Sequence, residues 1–194
     1  VVGLGIMGAP MAMHLHKAGL LAAVYNRTRA KAEPFAKLGV YVAESPADLA
    51  GRVDVVVVMV SDGPDVEQVL FGPGGVAEGA RPGLVVVDMS TNSPDWARRF
   101  AERLAQLGVE FLDAPVTGGQ KGAVEGTLTV MVGGREETFQ RLLPVFKAFG
   151  RNVIYVGPVG YGQAMKLVNQ VVAALNTVAM VEGLRLAKAL GLDM

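Results

Sequence analysis

Lys166, Asn169 and Gln170 occupy the first, fourth and fifth positions of a run within an apolar helical stretch, a spacing that puts them on one helix face. Lysine on a helix is ordinarily solvated. Here Met165, Leu167 and Val168 surround it, and a lysine drawn into a cleft beside a cofactor can donate a proton to a carbonyl while a hydride is delivered. Asp113-Ala-Pro-Val-Thr117-Gly118-Gly119 is a second group with chemistry in it. Paired glycines next to a hydroxyl offer N–H and O–H donors to an anion, although the same composition makes an ordinary flexible loop. His14 and His16 lie two apart, so they do not face one another on a helix, and no ligand cluster accompanies them; they read as structural or exposed, and no metal site is expected.

A third group opens the chain. Two valines run into Gly3-Leu4-Gly5-Ile6-Met7-Gly8, and Met7, Met11, Leu15 and Ala18 then follow at helical intervals. A strand, a glycine turn and a helix in that order suit a pyrophosphate: Gly3 permits the turn, Gly5 lets the backbone approach the ligand, and Gly8 lets the helix sit close on the strand. The anion would rest on N–H groups at the helix start. Asn26-Arg27-Thr28 ends the next apolar run, 18 residues after Gly8. An acid at this place would accept from the ribose 2′-hydroxyl of NAD, whereas an arginine accommodates a 2′-phosphate. No acid is present, so NADP is the expected cofactor, with NAD as the alternative.

Positioning such groups takes a scaffold, and the rest of the chain describes one. Strand and helix signals alternate with short connections, which implies an α/β fold built on a doubly wound, mostly parallel sheet of the Rossmann type. The patterns predict helices over 30–38, 46–50, 65–71, 94–107 and 136–149, the last kinked or split by Pro144. They predict strands over 40–42, 53–60, 84–88, 109–112, 127–132 and 152–156, with 113–126 as a Gly-rich loop. Ligands of such sheets bind at the carboxyl ends of the strands, so the loops after residues 4, 26, 60, 89 and 113 should converge on one cleft. Residues 161–190 read as one long helix, hydrophobic nearly all round, which must be buried against something: a second helical domain or another subunit. Domains are therefore expected at 1–159 and 160–194. Val1 begins inside a strand and Met194 follows the long helix, so truncation at both ends is expected.

Composition narrows the function classes. Eighteen basic and 18 acidic residues cancel, which gives no support to a nucleic-acid or acidic-membrane surface. No uninterrupted apolar run approaches the roughly 18 residues of a membrane span, so no membrane partner is expected. Cysteine is absent, which removes disulfides and thiolate chemistry and fits a reducing, cytoplasmic setting.

Taken together, Gly3-Leu-Gly5-Ile-Met7-Gly8-Ala-Pro-Met-Ala, Asn26-Arg-Thr, Asp88-Met-Ser-Thr91, Asp113-Ala-Pro-Val-Thr-Gly-Gly with Gly126-Thr-Leu-Thr, and Gly160-x-Gly162-x-x-x-Lys166 resemble the β-hydroxyacid dehydrogenases along essentially the whole chain. That family includes 3-hydroxyisobutyrate dehydrogenase and the tartronate-semialdehyde and glyoxylate/succinic-semialdehyde reductases. The resemblance implies a hydride transfer between NADP(H) and a small 3-hydroxy acid or its semialdehyde. It assigns Gly3 to Gly8 to the pyrophosphate and Asn26, Arg27 and Thr28 to the 2′-phosphate. Val60, Ser61 and Asp65 would lie along the cofactor, with Thr91 near the nicotinamide ribose. Thr117, Gly118 and Gly119 would bind the substrate carboxylate, and Lys166 would serve as general acid and base. The family's asparagine four residues after the lysine is Gln170 here, so Asn169 shares the positioning role. Residues 161–190 resemble an interdomain helix leading to a helical domain, largely missing, that completes the site and a homo-oligomer. A 6-phosphogluconate dehydrogenase would carry a His-Asn pair in place of Asn169-Gln170. An imine reductase, or a noncatalytic dehydrogenase-like nucleotide-binding module, would lack Lys166.

Overall fold

The computed structural model describes residues 1–193. The chain enters the sheet at Val2, which bridges Tyr25 on one side and Val58 on the other, both in parallel. In order there follow α1 (Gly8–Lys17), β1 (Ala23–Val24), a 3-10 turn (Arg29–Ala32), α2 (Glu33–Ala36), β2 (Tyr41–Val42) and α3 (Pro46–Ala50). Next come β3 (Val55–Val58), α4 (Gly63–Phe71), α5 (Val76–Gly79), β4 (Val85–Asp88) and α6 (Pro94–Ala105). The last third holds β5 (Glu110–Asp113), β6 (Val116–Thr117), α7 (Gly119–Glu125), β7 (Leu128–Gly133), α8 (Glu136–Lys147), β8 (Gly150–Gly157) and α9 (Tyr161–Ala189).

β1 pairs with β2, and β3, β4 and β5 lie side by side, all parallel. β7 runs antiparallel to β5 and to β6, which continues the line of β5, and parallel to β8 on its other edge. The near-continuous valine runs of β3 and β4 are explained by burial on both faces. One row, Val56, Val86 and Phe111, packs with Leu49 of α3, Val66 and Leu70 of α4, and Phe100 of α6. The alternate row, Val57, Val87 and Leu112, packs with Met11 and Leu15 of α1 and Phe139 and Phe146 of α8. This is the doubly wound sheet that the alternation of elements implied, and its three central strands end in register at Val58, Asp88 and Asp113.

Four expectations need correction. The helix predicted over 30–38 is a 3-10 turn followed by one α-turn, because Pro34 has no N–H to close an α-helical bond back to Ala30. Residues 113–126, read as loop, contain β6 and α7. Glycine-rich sequence hides that helix, which is held by α1: the His14 ring bonds Val124 O at 3.0 Å, Ala123 is buried, and Gly126 closes it in the left-handed region at φ 68°. Pro144 neither splits nor ends α8; it and Gln140, whose carbonyl it leaves free, lie on the exposed face, where water can serve.

The fourth concerns α9. Gly162, Gln163 and Lys166 are buried against the sheet, but Val168, Leu175 and Leu186 are 60%, 65% and 61% exposed, so among the described residues nothing covers the helix beyond its first turns. It also holds an 18-residue window of mean hydropathy 1.4 with no more than two charges, so by length and composition it could cross a membrane. Uncharged polar residues such as Asn176 and Thr177 interrupt the apolar run without lowering its average much. A helix meant for burial in protein has the same composition. Met194, the last residue of the predicted second domain, lies outside the described residues.

Candidate active site

The three glycines of the first turn do different work. Gly3 has φ +95°, and a Cβ there would lie 2.2 Å from Met59 O; a Cβ on Gly8 would lie 2.0 Å from Gly3 O. Both must lack side chains for α1 to start where it does, against the end of β3. A Cβ on Gly5 would meet nothing within 4 Å, because that face opens on a cleft of about 480 Å3. Bare backbone at the start of a 10-residue helix is the bed a pyrophosphate requires, so these residues fit a dinucleotide.

Gly3, Gly5, Ile6, Met7 and Gly8 line one wall of the cleft; Asn26, Arg27 and Thr28 line the next, and Val60, Ser61 and Asp65 a third. Leu4 does not line it. Its side chain is in the core, and its N–H donates to Asn26 Oδ1 at 2.8 Å. Asn26 Nδ2 donates in turn to Thr28 O at 2.9 Å, so both ends of this amide tie the glycine turn to the loop after β1. Lys31, four residues beyond Arg27, adds a second cation to the lining, while Arg29 between them is engaged with Glu44 at 2.8 Å. The spacing from Arg27 could have signalled Lys31.

The remaining predicted residues form a separate corner at the same edge of the sheet. Lys166 is 8% exposed, and its Nζ donates to Val116 O at 2.8 Å. Burial lowers its pKa from the ordinary lysine value. One residue along from Val116, Thr117 Oγ1 accepts from Asn169 Nδ2 at 3.4 Å, and the exposed Gly118 and Gly119 follow, both at positive φ. Gln170 is exposed and touches Asn169 rather than Thr117. Thr91 is exposed on the loop after β4. None of these lines the cleft, but Ser90 joins the two parts, its Oγ accepting from Val60 N at 3.0 Å.

Behind Lys166 lies a buried polar network to which the sequence reading gave no role. Asp88 Oδ1 accepts from Ser90 N at 3.0 Å and Oδ2 from Asn92 Nδ2 at 2.7 Å. Asp113, its neighbour in register, accepts from Gly160 N at 2.7 Å and Gln163 N at 2.8 Å. Gln163 Nε2 donates to Ser90 O at 2.8 Å while its Oε1 accepts from Asn92 N at 3.1 Å. Burial, the largest influence on each, pushes both carboxyls up to about 6. The sequence signal was an aspartate at the last position of a strand, twice.

Comparison with known proteins agrees with this architecture. Residues 1–157 match the model of the NAD binding domain of 6-phosphogluconate dehydrogenase, and residues 160–194 match that of the NAD-binding region of NADP-dependent 3-hydroxyisobutyrate dehydrogenase. The 2-hydroxy-3-oxopropionate reductase of Escherichia coli is 43% identical over 192 residues, covering 99% of this chain and 65% of that protein. The NAD-dependent L-serine dehydrogenase of Pseudomonas aeruginosa is 38% identical, covering 99% and 64% respectively. Mycobacterium tuberculosis 3-hydroxyisobutyrate dehydrogenase, solved with L-serine, superposes with a TM-score of 0.90 at 38% identity, covering 99% of this chain and 65% of that one. The chain belongs to the β-hydroxyacid dehydrogenase family of NAD(P)-dependent enzymes. It spans about two thirds of the length of these relatives.

Proposed function

We propose that the full-length protein is an NADP-linked dehydrogenase or reductase that interconverts a small 3-hydroxy acid and its semialdehyde, with Lys166 as general acid and base. One observation carries the reading: a desolvated ammonium bonds the carbonyl of Val116, immediately before the Thr117-Gly118-Gly119 anion donors. A nicotinamide dinucleotide, when bound, supplies or accepts the hydride. Lys166 Nζ–H gives its proton to the carbonyl oxygen during reduction, and neutral Nζ takes the hydroxyl proton during oxidation. The Thr117 hydroxyl and the Gly118 and Gly119 N–H groups hold the substrate carboxylate, and Asn169, bonded to Thr117, orients that hydroxyl. Gln170 stands outside this arrangement.

In the cleft, the glycine turn takes the pyrophosphate, with Val60, Ser61 and Asp65 along it. Arg27, Thr28 and Lys31 take the adenosine 2′-phosphate. The absence of an acid from 26 to 32 supports NADP over NAD. Asn26 serves by holding the turn. The uncovered apolar length of α9 supports a homo-oligomer or a further domain packed on it. L-serine is itself a 3-hydroxy acid, and the naming of two relatives favours it, with NAD, as a second reading.

The test is a spectrophotometric screen of the full-length protein: NADPH and NADH oxidation with succinic, tartronate and methylmalonate semialdehydes and glyoxylate, and NADP and NAD reduction with L-serine. Turnover of at least one semialdehyde, faster with NADPH, is expected. No turnover of any would overturn the proposal.

A further inference from the structure

We infer that Gln163 is a positioning residue that locks Lys166 to the loop after β4, and that Asp113 seats Gln163 by capping the start of α9; the catalytic value of this lock rests on the proton-transfer reading of Lys166. Gln163 is wholly buried, one helical turn before Lys166, and each of its polar groups is taken. Its Nε2 donates to Ser90 O at 2.8 Å, its Oε1 accepts from Asn92 N at 3.1 Å, and its own N–H donates to Asp113 Oδ2 at 2.8 Å. Two bonds from one side chain to the main chain of one loop fix both the rotation and the axial position of α9. Lys166, on the following turn, reaches Val116 O in that setting.

The seat itself is tight. A Cβ on Gly162 would lie 2.4 Å from Asp113 O and 2.6 Å from Met131 O, so the first turn of α9 rests directly on the backbone of β5 and β7. Beyond Asn169, which bonds Thr117, the helix is largely exposed among the described residues, so the contacts of its first turns set the lysine. The same loop meets the nucleotide cleft through the bond from Val60 N to Ser90 Oγ. Gln163 therefore sets the distance between the proton donor and the cofactor wall. The charged groups around it are Asp88 from β4, Asp113 from β5, Lys166 from α9 and, beside Gly160, Arg98 from α6.

Gln163→Glu keeps the shape and the acceptor for Asn92 N, but offers Ser90 O a donor only while protonated. In the full-length protein, with kcat expressed per NADPH-binding site titrated by fluorescence, the ratio of variant to wild-type kcat is expected to fall about 10-fold as the buried glutamate ionises with rising pH. Wild-type titrations divide out of that ratio. The Kd for NADPH should stay within about twofold, the glycine turn being untouched. Gln163→Leu never offers the donor, so its ratio is low and flat with pH. Labelling of Lys166 by an amine-reactive ester, read by mass spectrometry, should be slow in wild type and faster in Gln163→Leu and in ionised Gln163→Glu. Equal labelling in all three, with ratios flat and near one, would overturn the inference. A wild type that binds NADPH and protects Lys166 through Gln163 yet reduces no semialdehyde would leave the lock standing and remove the proton-transfer reading instead.

Discussion

The nucleotide cleft and the Lys166 corner occupy the same carboxyl edge of one sheet and are built in opposite ways. The cleft is built on the bare backbone of the glycine turn: a Gly5 face with nothing opposite, an exposed Ile6, and Arg27 and Thr28 exposed at the rim. The corner is side chains: Asp88, Ser90, Asp113, Gln163 and Lys166 are all buried, and each holds hydrogen bonds to the others or to nearby main chain. A surface that must admit a whole dinucleotide gains from open N–H groups and few commitments. A group that must hold one proton in one place needs its rotamer fixed from behind, and a buried polar network in which every side-chain group except Asn92 Oδ1 finds a partner does that.

If the cleft is backbone chemistry, a single methyl group should break it. Gly8→Ala places a Cβ 2.0 Å from Gly3 O, so NADPH binding measured by fluorescence titration is expected to vanish, with a stability loss of about 1–3 kcal/mol or more. Retained binding would show that the turn yields more easily than its geometry implies. Changing the rim should alter choice rather than binding as such: Arg27→Asp lowers the preference for NADPH over NADH about 10-fold or more, the worth of a charge-assisted bond. Lys31→Ala shifts it the same way, less strongly. Equal preference before and after either change would show that these cations do not read the phosphate.

Within the corner, Asp88 offers the smallest effect and the most diagnostic sign. Burial pushes the Asp88 carboxyl from its ordinary 3.8 up to about 6, so the folded state binds the extra proton in that window and the group's contribution to stability falls as pH rises through it. Asp88→Asn cannot titrate. Its thermal midpoint relative to wild type should therefore rise by a few degrees, about 2–4 °C per kcal/mol, between the acid and neutral sides of that window. A difference that stays constant with pH would mean Asp88 remains ionised throughout.

The same contrast explains what could be read before the fold was known. Glycine spacing, an arginine after a strand and runs of valine are local signals, and they fix the turn, the rim and the sheet because each follows from backbone sterics or burial within a few residues. Lys166 was legible for its apolar neighbours. Gln163, Asp88 and Asp113 were not, since a glutamine in an apolar helix and an aspartate after a strand gain meaning only when residues 50 or 71 positions apart come into contact. The helix α7 escaped for a related reason, its stability coming from α1 and not from its glycine-rich sequence. The burial expected along the whole of α9 extends only to its first turns, because composition records that a face wants cover and not which residues supply it.

Whether Lys166 carries the proton is read from kcat and NADPH Kd for Lys166→Ala beside wild type, in the full-length protein, with the best substrate of the screen. Proton transfer by Lys166 predicts a fall in kcat of about 10²-fold or more with NADPH affinity unchanged. It further predicts a wild-type profile in which reduction slows and oxidation quickens as pH rises through the lowered lysine value, a dependence the variant lacks. Unchanged turnover in Lys166→Ala, or the same pH profile with and without the lysine, would contradict it.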